Sequence, residues 1–352
     1  MSIIDKPSDY FNTKLYSGTG SELALTGVGF APNWIWIKHR NEANPHKIFD
    51  TVRGVGKSLK SNSTDVEASN EENGYVSAFG SDGFTLVGGS TSSNDVNKSS
   101  GSYVAWNWKA ETSFTNDASG TGIGSIDSAG SFNNTSGFSI VSYTGTGSAG
   151  TIKHGLNSVP SMMIVKRRSG DTEHWNVYHA SLGNTKALQG LNNAGAEDTS
   201  ASYWNNTSPT SSVFTVGTGS GVNASSPYIA YCFANTSMSK MGSYVGNGSN
   251  DGAFIYTGFK PAFVMCKRAV GGTGNWGMND TKRDPFNGTS HTCDANNTED
   301  ADDVAIRMDI LSSGFKLRTD SSNWNASGSK YIFMCFASNP FVTSTGVPAT
   351  AR

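Results

Sequence analysis

The apolar positions of this chain fall in short dense runs separated by long polar stretches. In "APNWIWIKHR", Ala31 to Arg40, Trp34, Ile35, Trp36 and Ile37 stand in succession and Lys38 ends the run. The pattern returns in "VPSMMIVKRR", Val159 to Arg168, and in "KPAFVMCKRA", Lys260 to Ala269. Each time a proline leads, one variable residue follows, four apolar residues come next and a lysine closes: Pro32 with Lys38, Pro160 with Lys166, Pro261 with Lys267. A signature that recurs at long spacing marks a structural repeat rather than a single binding motif. The runs are predicted core strands, and Lys38 is expected where its strand leaves the core for solvent.

Further landmarks keep the same order around each run. A glycine-rich opening precedes it: "YSGTGS" from Tyr16, "YTGTGS" from Tyr143, "YVGNGS" from Tyr244. A short strand with a matching Phe follows: Phe84 in "DGFTL", Phe214 in "SVFTV", Phe315 in "SGFKL". A closing strand ends the unit: "YVAWNWK" from Tyr103, "YIAYCFA" from Tyr228, "YIFMCFA" from Tyr331. The opening and closing strands are nearly continuous apolar runs, the pattern of strands buried on both faces, in the middle of a sandwich or under a neighbouring module. The pattern predicts an all-β chain of three tandem β-sandwich modules, jelly-roll or lectin-like, of about 100 residues each. The modules span 14–110, 136–236 and 237–338, with a lead at 1–13, a Ser/Gly/Asn-rich linker at 111–135 and a tail at 339–352. The lead and tail are the segments expected to dock on a neighbouring subunit. "KIFDTVRGVGKSLKS", Lys47 to Ser61, is the best helical candidate, cut to one or two turns by Gly54 and Gly56.

Composition agrees with strands and turns. Gly supplies 41 of 352 residues, well above the usual share of about 7%. The formal charge of −2 gives no nucleic-acid footprint and no polybasic membrane patch. No apolar stretch reaches membrane-spanning length, and "MSIIDKPSDYFNTK" lacks a signal peptide's basic start and apolar core. The expectation is synthesis in a cytoplasm without export by the usual route. Cys232, Cys266, Cys293 and Cys335 sit on predicted strands with no CxxC pair, so free buried thiols are expected rather than a zinc site.

Catalytic motifs fail on inspection. "GTGSAG", Gly145 to Gly150, matches a dinucleotide string but no helix follows it. "GVGKS" lacks the first glycine of a phosphate loop, and no G-x-S-x-G occurs. His174 and His179 are five apart, off the spacing of a shared helical face, and are expected as surface or edge residues. No enzyme is expected. The acidic stretch "NTEDADDV" offers Asp300, Asp302 and Asp303 as weak calcium candidates, read first as a solvated loop. Asp82 is read as a turn residue before a ligand. Trp175 and Trp276 align with each other and are expected in the core. Trp204 with Tyr203, and Trp324, lie in Asn/Ser-rich loops and are the candidate surface-binding aromatics, able to stack on sugar rings or anchor a protein partner.

Together "GFAPNWIWIKHRN", "FDTVRG", "SDGFTL", "YVAWNWKA" and "FASNPFVTSTGVPATAR" resemble a β-rich repeat domain family of structural proteins in tailed bacteriophages, especially marine ones. The resemblance spans nearly the whole chain and is weakest in the third module. It implies a virion component: a tail fibre or adhesin contacting the host surface, or a capsid decoration or head-fibre protein. A glycan-degrading enzyme is the remaining alternative. The implied partners are other virion proteins, a host glycan or protein, and further copies of the chain in a homo-oligomer. No nucleic acid, membrane insertion or cofactor is implied.

Overall fold

A computed structural model describes residues 4–90, 95–299 and 303–349. It is all-β and antiparallel, and its α-helices are single turns such as Ala118–Thr121 and Ala201–Trp204. Each sequence repeat builds the same four-strand order. In the first, the opening strand Phe11–Ser17 pairs with the closing strand Ser102–Trp108. That strand pairs with the proline strand Trp34–His39, which pairs with Lys47–Asp50. The second repeat follows with Phe138–Thr144, Pro227–Ala234, Pro160–Arg167 and Asn176–His179. The third uses Ser239–Val245, Lys330–Pro340, Phe259–Val270 and Trp276–Asp280. The Phe-bearing strands Gly83–Val87 and Val213–Val216 belong to separate small sheets with Leu23–Leu25 and Gly150–Lys153, whereas Gly314–Leu317 continues the third array through Thr289–Asp294 and Asp303–Leu311.

One clasp closes every repeat. The opening and closing tyrosines stack: Tyr16 on Tyr103 at 5.0 Å, Tyr143 on Tyr228 at 5.2 Å, Tyr244 on Tyr331 at 4.9 Å. A buried asparagine then receives the backbone N–H of the glycine-rich turn: Thr19 on Asn97, Thr146 on Asn223, Asn247 on Asn325, at 2.8, 2.9 and 2.9 Å. The turns need glycine because of this close approach. A Cβ on Gly18, Gly145 or Gly246 would lie 2.1, 2.2 or 2.3 Å from a carbonyl oxygen of the closing turn.

The double burial of the closing strands has a specific geometry. Tyr103 and Ala105 point into the first repeat's own core, while Val104, Trp106 and Trp108 point the other way. Tyr228, Ala230 and Cys232 likewise face inward in the second repeat, while Ile229, Tyr231 and Phe233 face away. The outward faces of all three repeats meet in one aromatic core. The Trp34 ring lies 4.6 Å from Tyr231, Phe11 4.9 Å from Phe336, and Phe233 6.0 Å from Phe336. The repeats therefore share a centre instead of forming a string of separate cores.

Polar contacts circulate around that centre in one sense. The repeated lysines, expected at the solvent boundary, are fully buried, and each reaches the equivalent loop of a neighbour. Lys38 Nζ donates to the Thr298 carbonyl in the third repeat, Lys166 to Thr64 in the first, and Lys267 to Ala194 and Gly195 in the second. Burial pushes Lys166 down to about 8 and Lys267 down to about 7; the carbonyls favour the protonated form. A second ring of contacts runs between fourth and closing strands. Asp50, clamped by Arg53, accepts from Tyr231 at 2.7 Å, and Asp280, clamped by Arg283, accepts from Trp106 at 3.1 Å. At the remaining junction the closing strand carries Met334, which cannot donate, and His179 takes the carboxylate's place.

Two further expectations are corrected. Lys47 to Ser61 forms strands Lys47–Asp50 and Lys57–Ser58 with a glycine-containing turn between them, not helix, because its apolar residues pair into the sheet. The segment 111–135 is not a free linker. Its strands Thr112–Asn116 and Ser128–Asn133 form a hairpin that pairs onto Phe138–Thr144 and widens the second repeat's sheet.

Candidate functional site

The added hairpin frames an open surface cleft of about 690 Å³. Its floor is a row of small residues across three strands, Thr115 beside Ala129 beside Ser142. Small side chains there leave the space that larger ones would fill. Its walls carry Asn116, Asp117, Asp127, Thr144 and Thr146. Asp117 caps the helical turn, accepting from Ser119 Oγ at 2.7 Å and Gly120 N at 3.0 Å. The Ser119 hydroxyl, with these amides, holds the Asp117 carboxyl below its usual range, so it is ionised at neutral pH and serves as a hydrogen-bond acceptor rather than an acid. Asp127 Oδ1 receives Ala118 N at 2.8 Å. Asn116 is buried and spans the base of the hairpin, donating to the Ile123 carbonyl and accepting from Thr121. No lysine, arginine or histidine lines the cleft. Hydroxyls, amide and carboxylates on a shallow polar floor suit an uncharged or cationic polyhydroxyl ligand.

The aromatic candidates fare unequally. Trp204 is fully buried in the second repeat's own core, edge-on to Tyr178 at 5.8 Å, with Nε1 donating to the Lys186 carbonyl at 3.0 Å. Trp324 is buried too, its ring lying over Gly277, where a Cβ would come within 2.1 Å of Cζ2. Neither can serve as a surface platform. The helical turns Ala201–Trp204 and Ser322–Asn325 swing both indoles inward despite their polar neighbours. The repeat itself held the signal for Trp324: "DVN", "GVN" and "NWN" align, placing it at the buried position of Val96 and Val222. Tyr203 does reach the surface, on a separate hollow of about 250 Å³ with His174, Gln189 and Ser202; its hydroxyl accepts from Gln189 at 2.9 Å.

Asp300 and Asp302 lie outside the described residues, and Asp303 opens the strand Asp303–Leu311. Among the described residues no group of three or more His, Cys, Asp or Glu could hold a metal ion. Asp82 takes the turn role, receiving Gly27 N at 2.9 Å and Gly29 N at 2.6 Å. Trp175 and Trp276 are buried, and their indoles donate across repeat boundaries to Lys60 and Gly190 carbonyls. His179 is not an edge residue: it is buried, accepts from Ser181 N at Nδ1 and points Nε2 at the Phe333 carbonyl. The four cysteines are buried and unpaired.

The fold defines a class, a single chain that folds three β-sheet repeats about one aromatic core. The chain belongs to the family described as a domain of unknown function, DUF7483, whose profile matches residues 6–340 as one unit. No curated protein and no solved structure matches it.

Proposed function

We propose that the chain is a non-enzymatic structural protein of a bacteriophage virion that contacts a glycan on the host surface through the hairpin cleft. The observation that carries this reading is the cleft itself. It is framed by the segment 111–135, which interrupts the repeat spacing, and its lining sets hydroxyl, amide and carboxylate groups beside Ile126, Ala129 and Tyr143, without a basic residue. The three repeated elements spend their apolar faces on one another, so ligand contact falls to the element outside the repeat. The sequence resemblance supplies the virion context, and other virion proteins and further copies of the chain are the partners it implies.

A glycan array probed with the purified protein tests the reading. Binding to neutral or amino-sugar glycans, abolished by Ser142→Trp with the fold retained, is the expected result; binding unaffected by Ser142→Trp refutes the cleft. Immunogold labelling of intact particles on the tail accords with host contact. Labelling on the head favours the second reading, a capsid decoration protein. That reading has its own support in the exposed apolar side chains of the third repeat, Phe286 at 77%, Tyr256 at 64% and Ile306 at 54%, which a particle surface would cover.

A further inference from the structure

The first repeat buries a lysine where the others have none. Lys47 opens its strand at the position held by Asn176 in the second repeat and Gly277 in the third. In the third repeat Trp324 fills the space over that position; in the second, Asn176 bonds the Gly221 carbonyl at 3.1 Å. In the first, the same space holds Lys47, Glu71 and Asp95. The side chains of Lys47 and Asp95 are 0% and 1% exposed, and Nζ lies 3.3 Å from Asp95 Oδ2. The same Nζ hydrogen-bonds Glu71 Oε2, which also accepts from Ser58 Oγ. Asn73 Nδ2 donates to Asp95 Oδ2 at 3.3 Å, and Asp95 Oδ1 is buried without a hydrogen-bond partner among the described residues.

Lys60 Nζ adds a second ammonium 3.8 Å from Glu71 Oε1, and Asp95, 1% exposed against 15% for Glu71, is the carboxylate whose charge burial penalises more. Burial raises the Asp95 carboxyl, favouring its neutral acid form. Against the effect of burial, Lys47 and Ser58 hold Glu71 below its usual range. The site thus brings together a lysine Nζ, a buried carboxyl beside it, and a second carboxyl hydrogen-bonded to the same Nζ, the three groups that an amide condensation needs.

We propose that Lys47 and Asp95 condense to an intramolecular amide, with Glu71 relaying the protons. The Lys47 ammonium gives a proton to Glu71, and the free amine attacks Asp95 Cγ. The tetrahedral centre loses its hydroxyl, which takes the proton back from Glu71 and leaves as water, while the nitrogen's second proton passes to Glu71. One N–C bond forms and one C–O bond breaks, no electrons are exchanged, and Glu71 ends protonated and re-equilibrates with solvent. The bond ties the fourth strand of the first repeat to the turn before the clasp residue Asn97, and it forms whatever particle or ligand the protein serves.

Intact-mass spectrometry of the denatured full-length chain tests this. The expected mass is below that of the sequence, with or without Met1, by one water, about 18 Da. Digestion should give one branched peptide joined through Lys47 and Asp95, and Glu71→Gln should restore the full mass. A wild-type mass equal to the sequence overturns the proposal, whether or not Glu71→Gln folds. A loss of one ammonia, about 17 Da, puts the bond on Asn73 and overturns Asp95 as the electrophile. A deficit that survives in folded Glu71→Gln overturns the relay.

Discussion

The phenol of Tyr231 donates to Asp50 Oδ2 at 2.7 Å, across 181 residues of chain, and the same oxygen is held by Arg53 Nε at 2.5 Å. A buried ion pair is thereby completed by a donor from another repeat. Removing Tyr231's hydroxyl with Phe keeps the ring against Trp34 and loses one charge-assisted bond, at about 1.5–3 kcal/mol. Asp50→Ala leaves the buried Arg53 guanidinium with the longer Glu67 pair, Nη1 to Oε2 at 3.4 Å, and is expected to cost more, about 3–5 kcal/mol. Urea unfolding of both variants checks the order, and Asp50→Ala as the milder change would refute this account of the junction.

The shared centre makes the repeats interdependent. A fragment of residues 136–236 would expose Met162, Ile164, Ile229, Tyr231 and Phe233, all buried against the other repeats' side chains in the whole chain. Such a fragment is expected not to form a stable monomer, and the full chain should unfold in one cooperative transition. Circular dichroism of the fragment and calorimetry of the whole protein test both. Trp34→Ala, which empties the centre, should lower stability by about 3–5 kcal/mol. Three separable calorimetric transitions would mean that the common core contributes little.

Much of this architecture is legible in the sequence, because the landmarks with the strictest spacing are the ones the clasp uses. Tyr16, Tyr143 and Tyr244 each stack on the closing tyrosine, and Phe84, Phe214 and Phe315 are all buried. What sequence could not show is who receives a polar group. Lys38 reads as a solvent boundary because lysine is normally exposed, yet beside the local His39 and Glu42 carbonyls one of its acceptors, Thr298, lies 260 residues away. The hairpin reads as a linker because a sheet-edge element with one solvated face needs few apolar residues. The cleft was invisible for a further reason: the row Thr115, Ala129, Ser142 exists only once three strands are in register. Trp204 and Trp324 read as surface residues from the polarity of their neighbours, yet the turns that carry them bury both.

The buried histidines set the acid limit. Burial lowers His154 and His179 from 6.5 to about 4, and also holds His46 well below its usual value. Between those two pH values the unfolded chain binds more protons than the folded one, so stability falls as pH drops through the window and is fully present above 6.5. Each such ring contributes a slope of up to about 1.4 kcal/mol per pH unit. His179→Gln, which can still accept from Ser181 N and donate to the Phe333 carbonyl, should flatten the profile by one ring's share. Thermal melts between pH 4 and 7 read this directly; a profile unchanged by His179→Gln would mean that His179 titrates normally.

The clasp asparagines offer the sharpest test of whether the three repeats are physically equivalent. Asn223 accepts from Thr146 N and donates to the Ser148 and Gly217 carbonyls, both at 2.6 Å. Asn325 accepts from Asn247 N and donates to Ser249 and Thr319 carbonyls at 2.8 and 2.9 Å. Asn97 repeats the pattern with Thr19 N and the Ser21 carbonyl. Alanine at any of them leaves backbone groups of the glycine-rich turn without partners in a tight site, at roughly 1–3 kcal/mol for each group left buried. Asn223→Ala and Asn325→Ala are therefore expected to destabilise by similar amounts. Asn97→Ala should unfold less of the chain if an amide bond at Lys47 and Asp95 already holds that turn, because the cross-link restrains the segment the asparagine would otherwise release. Hydrogen exchange at Thr19, Thr146 and Asn247 amides resolves the three sites separately. Equal protection loss in all three variants would show that the first repeat has no restraint beyond its clasp.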